Sequence, residues 1–129
     1  MDLNQITVPC TDYALSVRFY QALGLAQIVD SPPRYARFET PSGTTLSIHR
    51  VESANRQSET VIYFEVEDVD QRVLELQAAG LEFERQPADQ RWLWREAYLR
   101  DPAGNRICIY HAGENRRYPP WRIGDDAVR

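Results

Sequence analysis

The stretch TDYALSVRFYQALGL at residues 11–25 recurs 56 positions later as EDVDQRVLELQAAGL at residues 67–81. The two copies align without a gap and share six identical residues, which indicates an internal repeat. In each copy apolar side chains recur three or four residues apart, the spacing of one face of an α-helix. The repeat therefore predicts two equivalent amphipathic helices within one chain.

Both predicted helices are bounded by residues that favour helix ends. Asp12 and Asp68 can accept hydrogen bonds from the free amides of the first turn. Gly24 and Gly80 can adopt the left-handed conformation that ends a helix. We therefore expect each helix to lie between its aspartate and its glycine.

A second pair of segments extends the repeat to the strands. TPSGTTLSIH at residues 40–49 aligns with DPAGNRICIY at residues 101–110, at an offset of 61. In both, a turn containing proline and glycine leads into a segment of alternating apolar character, which predicts a β-strand. Each half then contains strand, helix and three strands, with strands predicted near 4–9, 26–30, 34–39 and 44–50, and near 60–66, 82–86, 92–100 and 106–111.

The length of 129 residues is too short for two domains of ordinary size, so the repeat predicts one domain built of two halves. The predicted fold class is α+β, with two βαβββ modules whose mixed, curved sheets surround a cavity and whose helices cover the outer face. We expect a single domain over residues 1–129, with module one at 3–50, a linker at 51–59, module two at 60–111 and a C-terminal tail at 112–129.

Composition and charge exclude several classes of function. The 15 basic and 19 acidic residues leave a net charge of −4, without the basic surface that nucleic-acid binding requires. No basic and apolar leader is present at the N-terminus and no apolar run reaches about 18 residues, which argues against secretion and membrane spanning. The two cysteines, Cys10 and Cys108, are expected to be reduced thiols in a cytoplasmic protein, although neighbouring strands could bring them into a disulfide.

Alternation along the predicted strands assigns two faces to the sheets. One face is uniformly apolar and is expected to pack under the helices: Ile6, Val8, Ala36, Phe38, Leu46, Ile48, Ile62, Phe64, Val66, Leu93, Ala97, Leu99, Ile107 and Ile109. The other face mixes aromatic rings with charges and hydroxyls: Gln5, Thr7, Tyr35, Arg37, Glu39, Ser47, His49, Val61, Tyr63, Glu65, Trp92, Trp94, Glu96, Tyr98, Cys108 and Tyr110. Such a concentration of aromatic residues indicates a small-molecule cleft, with a protein interface or an ordinary solvated surface as alternatives.

From residue 3 to about residue 111, the chain resembles the vicinal oxygen chelate superfamily, which includes type I glyoxalases, extradiol dioxygenases and bleomycin-resistance proteins. The resemblance depends on the order and spacing of NQITVPCTDYALSVRFYQALGL, YFEVEDVDQRVLELQAAGLEF and YLRDPAGNRICIYH. It implies paired βαβββ modules around a cavity. It also implies a homodimer, since many members of the superfamily are homodimers.

Metal-dependent members of this superfamily bind a divalent cation through four side chains, usually His, Gln or Glu. The resemblance places those positions at Gln5, Ser47, Val61 and Cys108. A valine cannot bind a metal, and a serine hydroxyl and an amide are weak ligands. We therefore expect the usual metal site to be absent, which argues against glyoxalase and dioxygenase chemistry of the usual kind.

His49 lies two residues beyond Ser47 on the same predicted face. Three roles remain open for it: a hydrogen-bonded structural residue, a ligand-binding residue or general base, or a relocated metal ligand together with Glu65 or Glu96. Cys108 has little support as a nucleophile, because no base or helix N-terminus adjoins it in the sequence.

The remaining candidates belong to a predicted ligand-binding set on the mixed face. Arg37 could bind a carboxylate or phosphate, or could be ion-paired with Glu96 across neighbouring strands together with Arg100. Trp94 could stack on a planar ligand or simply fill the cleft. The full predicted set is Gln5, Arg37, Ser47, His49, Tyr63, Trp94, Glu96, Tyr98, Cys108 and Tyr110, with His49 as the candidate catalytic residue and with no metal ligand.

Three functions are consistent with these features. The first, which the features favour, is a glyoxalase-like or bleomycin-resistance-like protein that binds an aromatic or anionic small molecule without the usual metal. The second is a lyase, isomerase or dioxygenase with a non-standard metal site, and the third is a dimeric protein-interaction module. The tail, which includes Tyr118 and Trp121, is expected to pack either over the cleft as a lid or against a partner subunit.

Overall fold

The computed structural model describes residues 1–56 and 58–124. The first module contains β1 (Gln5–Cys10), α1 (Tyr13–Leu23), β2 (Ala26–Ser31), β3 (Tyr35–Glu39) and β4 (Thr45–Arg50). The second contains β5 (Val61–Glu65), α2 (Val69–Ala78), β6 (Phe83–Asp89), β7 (Arg95–Arg100) and β8 (Arg106–His111). A short 3-10 helix follows at Gly113–Arg116.

Each module forms one four-stranded mixed sheet. The strand orders are β1-β4-β3-β2 and β5-β8-β7-β6, so the two sheets repeat the same topology. The first strand of each module pairs parallel with the last one, and all other pairs are antiparallel. The predicted α+β class with two βαβββ modules is confirmed.

The helix ends were predicted correctly from the repeat. The Asp12 side chain accepts a hydrogen bond of 3.0 Å from the amide of Leu15, and Asp68 accepts one of 3.0 Å from the amide of Gln71. Gly24 has a φ of 111°, and the equivalent glycine of module two has a φ of 97°. Only a residue without a side chain adopts this conformation at little cost, which explains why glycine recurs there.

The apolar faces of both sheets and the inner faces of both helices form a single hydrophobic core. Thirteen of the fourteen residues predicted for this face belong to the core or pack against it: Ile6, Val8, Ala36, Phe38, Leu46, Ile48, Ile62, Phe64, Val66, Ala97, Leu99, Ile107 and Ile109. Because one core serves both halves, neither module is expected to bury its own sheet alone.

Leu93 is the exception, and its predicted place in the core is wrong. The strand predicted at 92–100 begins at Arg95, and Leu93 lies in the preceding turn with 48% of its surface exposed. Its φ is 71°, and the turn is closed by hydrogen bonds from Leu93 N to Gln90 O and from Gln90 N to Trp94 O. The β6–β7 hairpin therefore turns at Leu93, where alternation along a strand no longer applies.

A buried polar network joins the two modules. The Tyr20 hydroxyl of α1 donates to Asp101 Oδ2 at 2.6 Å, although the two residues are 81 positions apart. Asn105 Nδ2 donates both to Asp101 Oδ2 at 2.7 Å and to the Pro9 carbonyl at 3.0 Å. Asp101 is 3% exposed and Tyr20 is fully buried, so these bonds link helix α1, strand β1 and the β7–β8 turn inside the protein.

Candidate functional site

The register of β5, β8 and β7 arranges the mixed face of module two, hereafter the module-two face, in three rows. Val61 pairs with Arg106, which pairs with Arg100; Tyr63 pairs with Cys108, which pairs with Tyr98; and Glu65 pairs with Tyr110, which pairs with Glu96. The face therefore changes from basic at one end, through aromatic in the middle, to acidic at the other end.

Three aromatic rings pack together on this face. The ring centroids of Trp94 and Tyr110 are 4.8 Å apart, and Tyr63 contacts both rings edge-on at 5.8 and 5.3 Å. Tyr110 is buried, whereas 45% of the Tyr63 surface is exposed. The cluster thus presents an aromatic surface to a ligand while its inner ring is held in place.

Tyr63 also lines a groove of about 460 Å³ between the modules. The groove lies between β5 and the β3–β4 turn, and its walls are mostly apolar: Ile6, Leu46, Ile62 and Phe64 with the hydroxyls of Thr40, Ser42, Thr44 and Thr45. Cavities of this size are typical of small-molecule sites.

Glu96 is a buried carboxylate in the acidic row, only 3% exposed. It accepts hydrogen bonds of 2.9 Å from the Trp92 indole and from the Tyr98 hydroxyl. The alternative that paired Glu96 with Arg37 and Arg100 is therefore wrong, since Arg100 binds Glu84 at 3.0 Å instead. Of the two donors to Glu96, Trp92 lies in the β6–β7 turn. Tyr98 lies two residues farther along the same strand, where side chains share a face.

The Tyr98 hydroxyl lies among acceptors that hold its proton. Burial, with contributions from the hydrogen bonds to Tyr63 and Glu96, raises the pKa of Tyr98 far above its ordinary value. The Tyr98 hydroxyl therefore stays protonated at neutral pH, and its hydrogen bond helps to hold the Glu96 carboxylate on this face.

The mixed face of module one carries a chain of hydrogen bonds. Gln5 Nε2 donates to Ser47 Oγ at 3.0 Å, Ser47 Oγ lies 2.6 Å from the Tyr35 hydroxyl, and Arg37 Nε donates to that hydroxyl at 2.9 Å. The hydrogen bond with Ser47, opposed by burial and aided by Arg37, lowers the pKa of Tyr35. These hydrogen bonds therefore bring together three residues of the predicted ligand-binding set, Gln5, Arg37 and Ser47. Tyr35 belongs to the same group.

His49 lies at the end of β4 and is exposed. Within residues 1–56 and 58–124 its side chain makes no hydrogen bond and no ion pair. Glu65 and Glu96, its suggested partners, are engaged by backbone amides and by Trp92 and Tyr98 respectively. The structure supplies no group that would orient His49 as a base, and its ligand-binding role stays a prediction.

The four positions implied for a divalent metal do not fit one. Val61 has no donor atom, and the amide of Gln5 is bonded to Ser47. Cys108 is fully buried, and burial, with a smaller contribution from the charge of Glu96, raises its pKa to about 12. A thiol must lose its proton to bind a metal, so this set is unsuited to the ion. The described part of the chain also holds no cluster of three His, Cys, Asp or Glu side chains that could replace it.

Both thiols should be unreactive in the folded protein. Cys10 and Cys108 are free and fully buried, and burial is the main cause of the raised pKa of each. We expect less than a tenth of an equivalent of either cysteine to react with N-ethylmaleimide in an hour at pH 8, and both to react in 6 M guanidinium chloride. Mass spectrometry counts the adducts, and rapid modification of Cys108 in the native protein would contradict this account.

The start of the tail is fixed to the acidic row. Glu65 Oε2 accepts hydrogen bonds of 2.8 Å from the amides of Ala112 and Gly113. The Trp94 indole donates to the Asn115 carbonyl at 3.3 Å, so the 3-10 helix lies against the aromatic cluster. Trp121 and Ile123 beyond it remain exposed, and the part of the predicted tail at 125–129 lies outside the described residues.

Replacing Glu65 with alanine should release this segment. Burial would raise the pKa of Glu65, but the amides of Ala112 and Gly113 outweigh it and hold the pKa below 4.5. The contact is thus complete above about pH 4.5 and weakens as the pH falls through the lowered pKa. We expect trypsin to cut after Arg116 and Arg117 about tenfold faster in Glu65→Ala at pH 8, whereas the exposed neighbour Glu67→Ala should behave as wild type. Equal cleavage rates would show that Glu65 does not hold the tail.

The predicted site residues form two groups. Gln5, Arg37, Ser47 and His49 belong to module one, and Tyr63, Trp94, Glu96, Tyr98, Cys108 and Tyr110 to module two. The recorded hydrogen bonds and ring contacts of these side chains join them to residues of their own module or to the tail. Arg106 was missed, although alternation from Cys108 places it on the same face.

Comparisons with known proteins show the family of this chain. Residues 2–109 match the model of the Glyoxalase/Bleomycin resistance protein/Dioxygenase superfamily. The uncharacterized protein YraH of Bacillus subtilis (strain 168) is 32% identical over 125 residues, which cover 85% of this chain and 98% of YraH.

Solved structures share the fold. A glyoxalase/bleomycin resistance protein/dioxygenase from Nocardioides has a TM-score of 0.77 at 24% identity, covering 96% of this chain and 90% of that one. A bleomycin-binding protein complexed with bleomycin has a TM-score of 0.70 at 16% identity, covering 86% of this chain and 98% of that one. None of the described helices is long and apolar enough to cross a lipid bilayer.

Proposed function

This chain belongs to the glyoxalase/bleomycin resistance protein/dioxygenase superfamily, and from that premise we propose that it binds a small aromatic molecule on the module-two face without a divalent metal. The observation that carries the proposal is the packed cluster of Tyr63, Trp94 and Tyr110, of which Tyr63 is 45% exposed and also lines a groove of about 460 Å³. Aromatic walls with a few fixed polar groups favour a flat ligand.

The polar groups of the face would orient such a ligand. Glu96 is fixed by two donors, and the tail backbone at Asn115 closes one side of the cluster. The superfamily fold is used for a small molecule in the bleomycin-binding protein, which supports a ligand-binding role for the same architecture.

We further propose that the protein is a cytoplasmic homodimer. The two mixed faces belong to different sheets, and Trp121 and Ile123 expose apolar surface that a second subunit could cover. Two buried free thiols are compatible with a reducing compartment.

The function is tested with a matched panel of ligands. Thermal-shift titrations compare naphthalene-2-carboxamide with hexanamide. Each ligand is measured in EDTA and, in separate samples, with Mn²⁺, Fe²⁺, Ni²⁺ or Zn²⁺ in place of EDTA. We expect the aromatic amide alone to raise the melting temperature, by the same amount in EDTA and in every metal. A stoichiometric metal required for binding, or equal shifts with hexanamide, would contradict the proposal.

A further inference from the structure

Arg106 is a cation on the module-two face, and no carboxylate in the described part of the chain forms an ion pair with it. Its guanidinium carbon lies 5.2 Å from the ring centroid of Tyr98, which holds the side chain in a cation–π contact. Its Nε is buried and has no hydrogen-bond acceptor within the described ranges. A buried donor without an acceptor is costly, so this atom makes Arg106 a candidate to bind an external acceptor.

Arg100, which lies opposite Arg106 in the β7–β8 register, is already paired. Its guanidinium contacts the Glu84 carboxylate at 3.0 Å. No carboxylate of the described residues lies within salt-bridge distance of Arg106. Arg106 therefore keeps its charge available to a ligand, whereas Arg100 does not.

The surroundings of Arg106 are polar but not acidic. Arg106 lines a cavity of about 180 Å³ where β1 approaches β5, together with Ile6, Thr7, Val8, Pro9, Ser58, Thr60, Ile62 and Asn105. Among the described residues this lining contains three hydroxyl residues and one amide residue, and Arg106 is the one charged residue of that set. Hydroxyl, amide and guanidinium groups together suit an oxyanion.

The charge pattern of the face also gives the ligand a direction. Arg106 and Tyr110 are four residues apart on β8, which corresponds to roughly 13 Å along the strand. Glu65 and Glu96 flank Tyr110 at that distant end. An anionic group is therefore attracted to Arg106 and repelled from the acidic row, while a flat body lies over the aromatic residues between them.

We propose that Arg106 binds the carboxylate or phosphate group of the ligand, so that the ligand class is an aromatic acid or an aromatic phosphate ester. This inference rests on the proposed function, because the aromatic part of the ligand is assigned to the module-two face. It also replaces Arg37, the arginine predicted from the sequence to bind an anion: Arg37 contacts the Tyr35 ring and hydroxyl on the other module.

The test measures preference for an anion rather than affinity alone. Calorimetry gives the Kd of naphthalene-2-carboxylate, 2-naphthyl phosphate and the neutral naphthalene-2-carboxamide for wild type, Arg106→Gln and Arg106→Lys. Arg85→Gln is the matched control, because Arg85 also lies over Tyr98, at 5.9 Å, but is exposed and does not line the cavity. Arg37→Gln controls for the module-one arginine.

We expect wild type to bind at least one anion about tenfold more tightly than the amide, and Arg106→Gln to lose that preference while still binding the amide. Arg106→Lys should retain part of the preference, and both control variants should retain all of it. The preference is the ratio of the Kd values of the amide and the anion for the same variant. A substitution that weakens the binding of both ligands equally therefore leaves this ratio unchanged. The stronger of the two anions identifies the headgroup.

Two outcomes overturn the inference in distinguishable ways. If wild type binds acid and amide equally, or Arg106→Gln keeps the preference, Arg106 is not the anchor although the aromatic site stands. If none of the three aromatic ligands binds, the proposed function fails, and inorganic phosphate decides for Arg106 alone. In that case a phosphate-dependent thermal shift that is smaller in Arg106→Gln supports the anion site, and equal shifts refute it.

Discussion

Replacing Asp101 with alanine is expected to lower the free energy of unfolding by about 3–5 kcal/mol. Asp101 is 3% exposed and accepts bonds from the Tyr20 hydroxyl and the Asn105 amide at 2.6 and 2.7 Å. Its other oxygen accepts the backbone amides of Ala103 and Asn105 at 3.0 and 2.9 Å. Alanine would leave the buried Tyr20 hydroxyl and the buried Ala103 amide without this acceptor, and the turn between β7 and β8 would lose its side-chain hydrogen bonds.

Urea unfolding monitored by circular dichroism measures this loss. Tyr20→Phe removes one donor and should cost about 1–3 kcal/mol, and the exposed Asp2→Ala should change stability by less than about 0.5 kcal/mol. The double variant of Tyr20 and Asp101 should lose less than the sum of the single losses, since the two side chains share one bond. A loss below about 1 kcal/mol in Asp101→Ala would show that the network does not hold the modules together.

The second large effect concerns binding. Trp94→Leu is expected to weaken binding of naphthalene-2-carboxamide about 30-fold, which corresponds to about 2 kcal/mol, because a hot-spot ring is removed from the cluster. Trp94 packs against Tyr110 with the two ring centroids 4.8 Å apart, and it is half-buried. It therefore lies within the aromatic cluster rather than at its exposed edge.

Two further variants separate binding from folding. Trp121→Leu changes an exposed tail residue and should bind as wild type. Tyr63→Leu removes a ring that is 45% exposed, and it should weaken binding about tenfold with little loss of stability. Full binding by both Trp94→Leu and Tyr63→Leu, measured by calorimetry, would contradict a site on the aromatic cluster.

Periodicity and repetition were sufficient to predict the modules. The aspartate caps, the glycines after the helices and thirteen core positions follow from local spacing alone, and local spacing is what sequence patterns record. The failure at Leu93 has a local cause too: the hairpin needs a turn residue with positive φ, and the apolar alternation around Leu93 concealed it.

Contacts between distant elements were beyond these patterns. Nothing in the spacing of Tyr20 and Asp101 indicates a bond between α1 and the β7–β8 turn. Glu96 was expected to pair with arginines, and its actual donors, Trp92 and Tyr98, depend on how the β6–β7 turn folds back. Arg106 became a candidate only once its buried, unpaired Nε and the adjoining cavity were known.

An NMR titration of the indole N–H groups tests directly whether an aromatic ligand binds on the module-two face. The chain has three tryptophans, Trp92, Trp94 and Trp121, which give three signals that single Trp→Phe variants assign. Naphthalene-2-carboxamide is added in EDTA to saturation. The account predicts a large, saturable shift of the Trp94 signal and no shift of the Trp121 signal. A shift confined to Trp121, or three unchanged signals, would contradict binding on the module-two face.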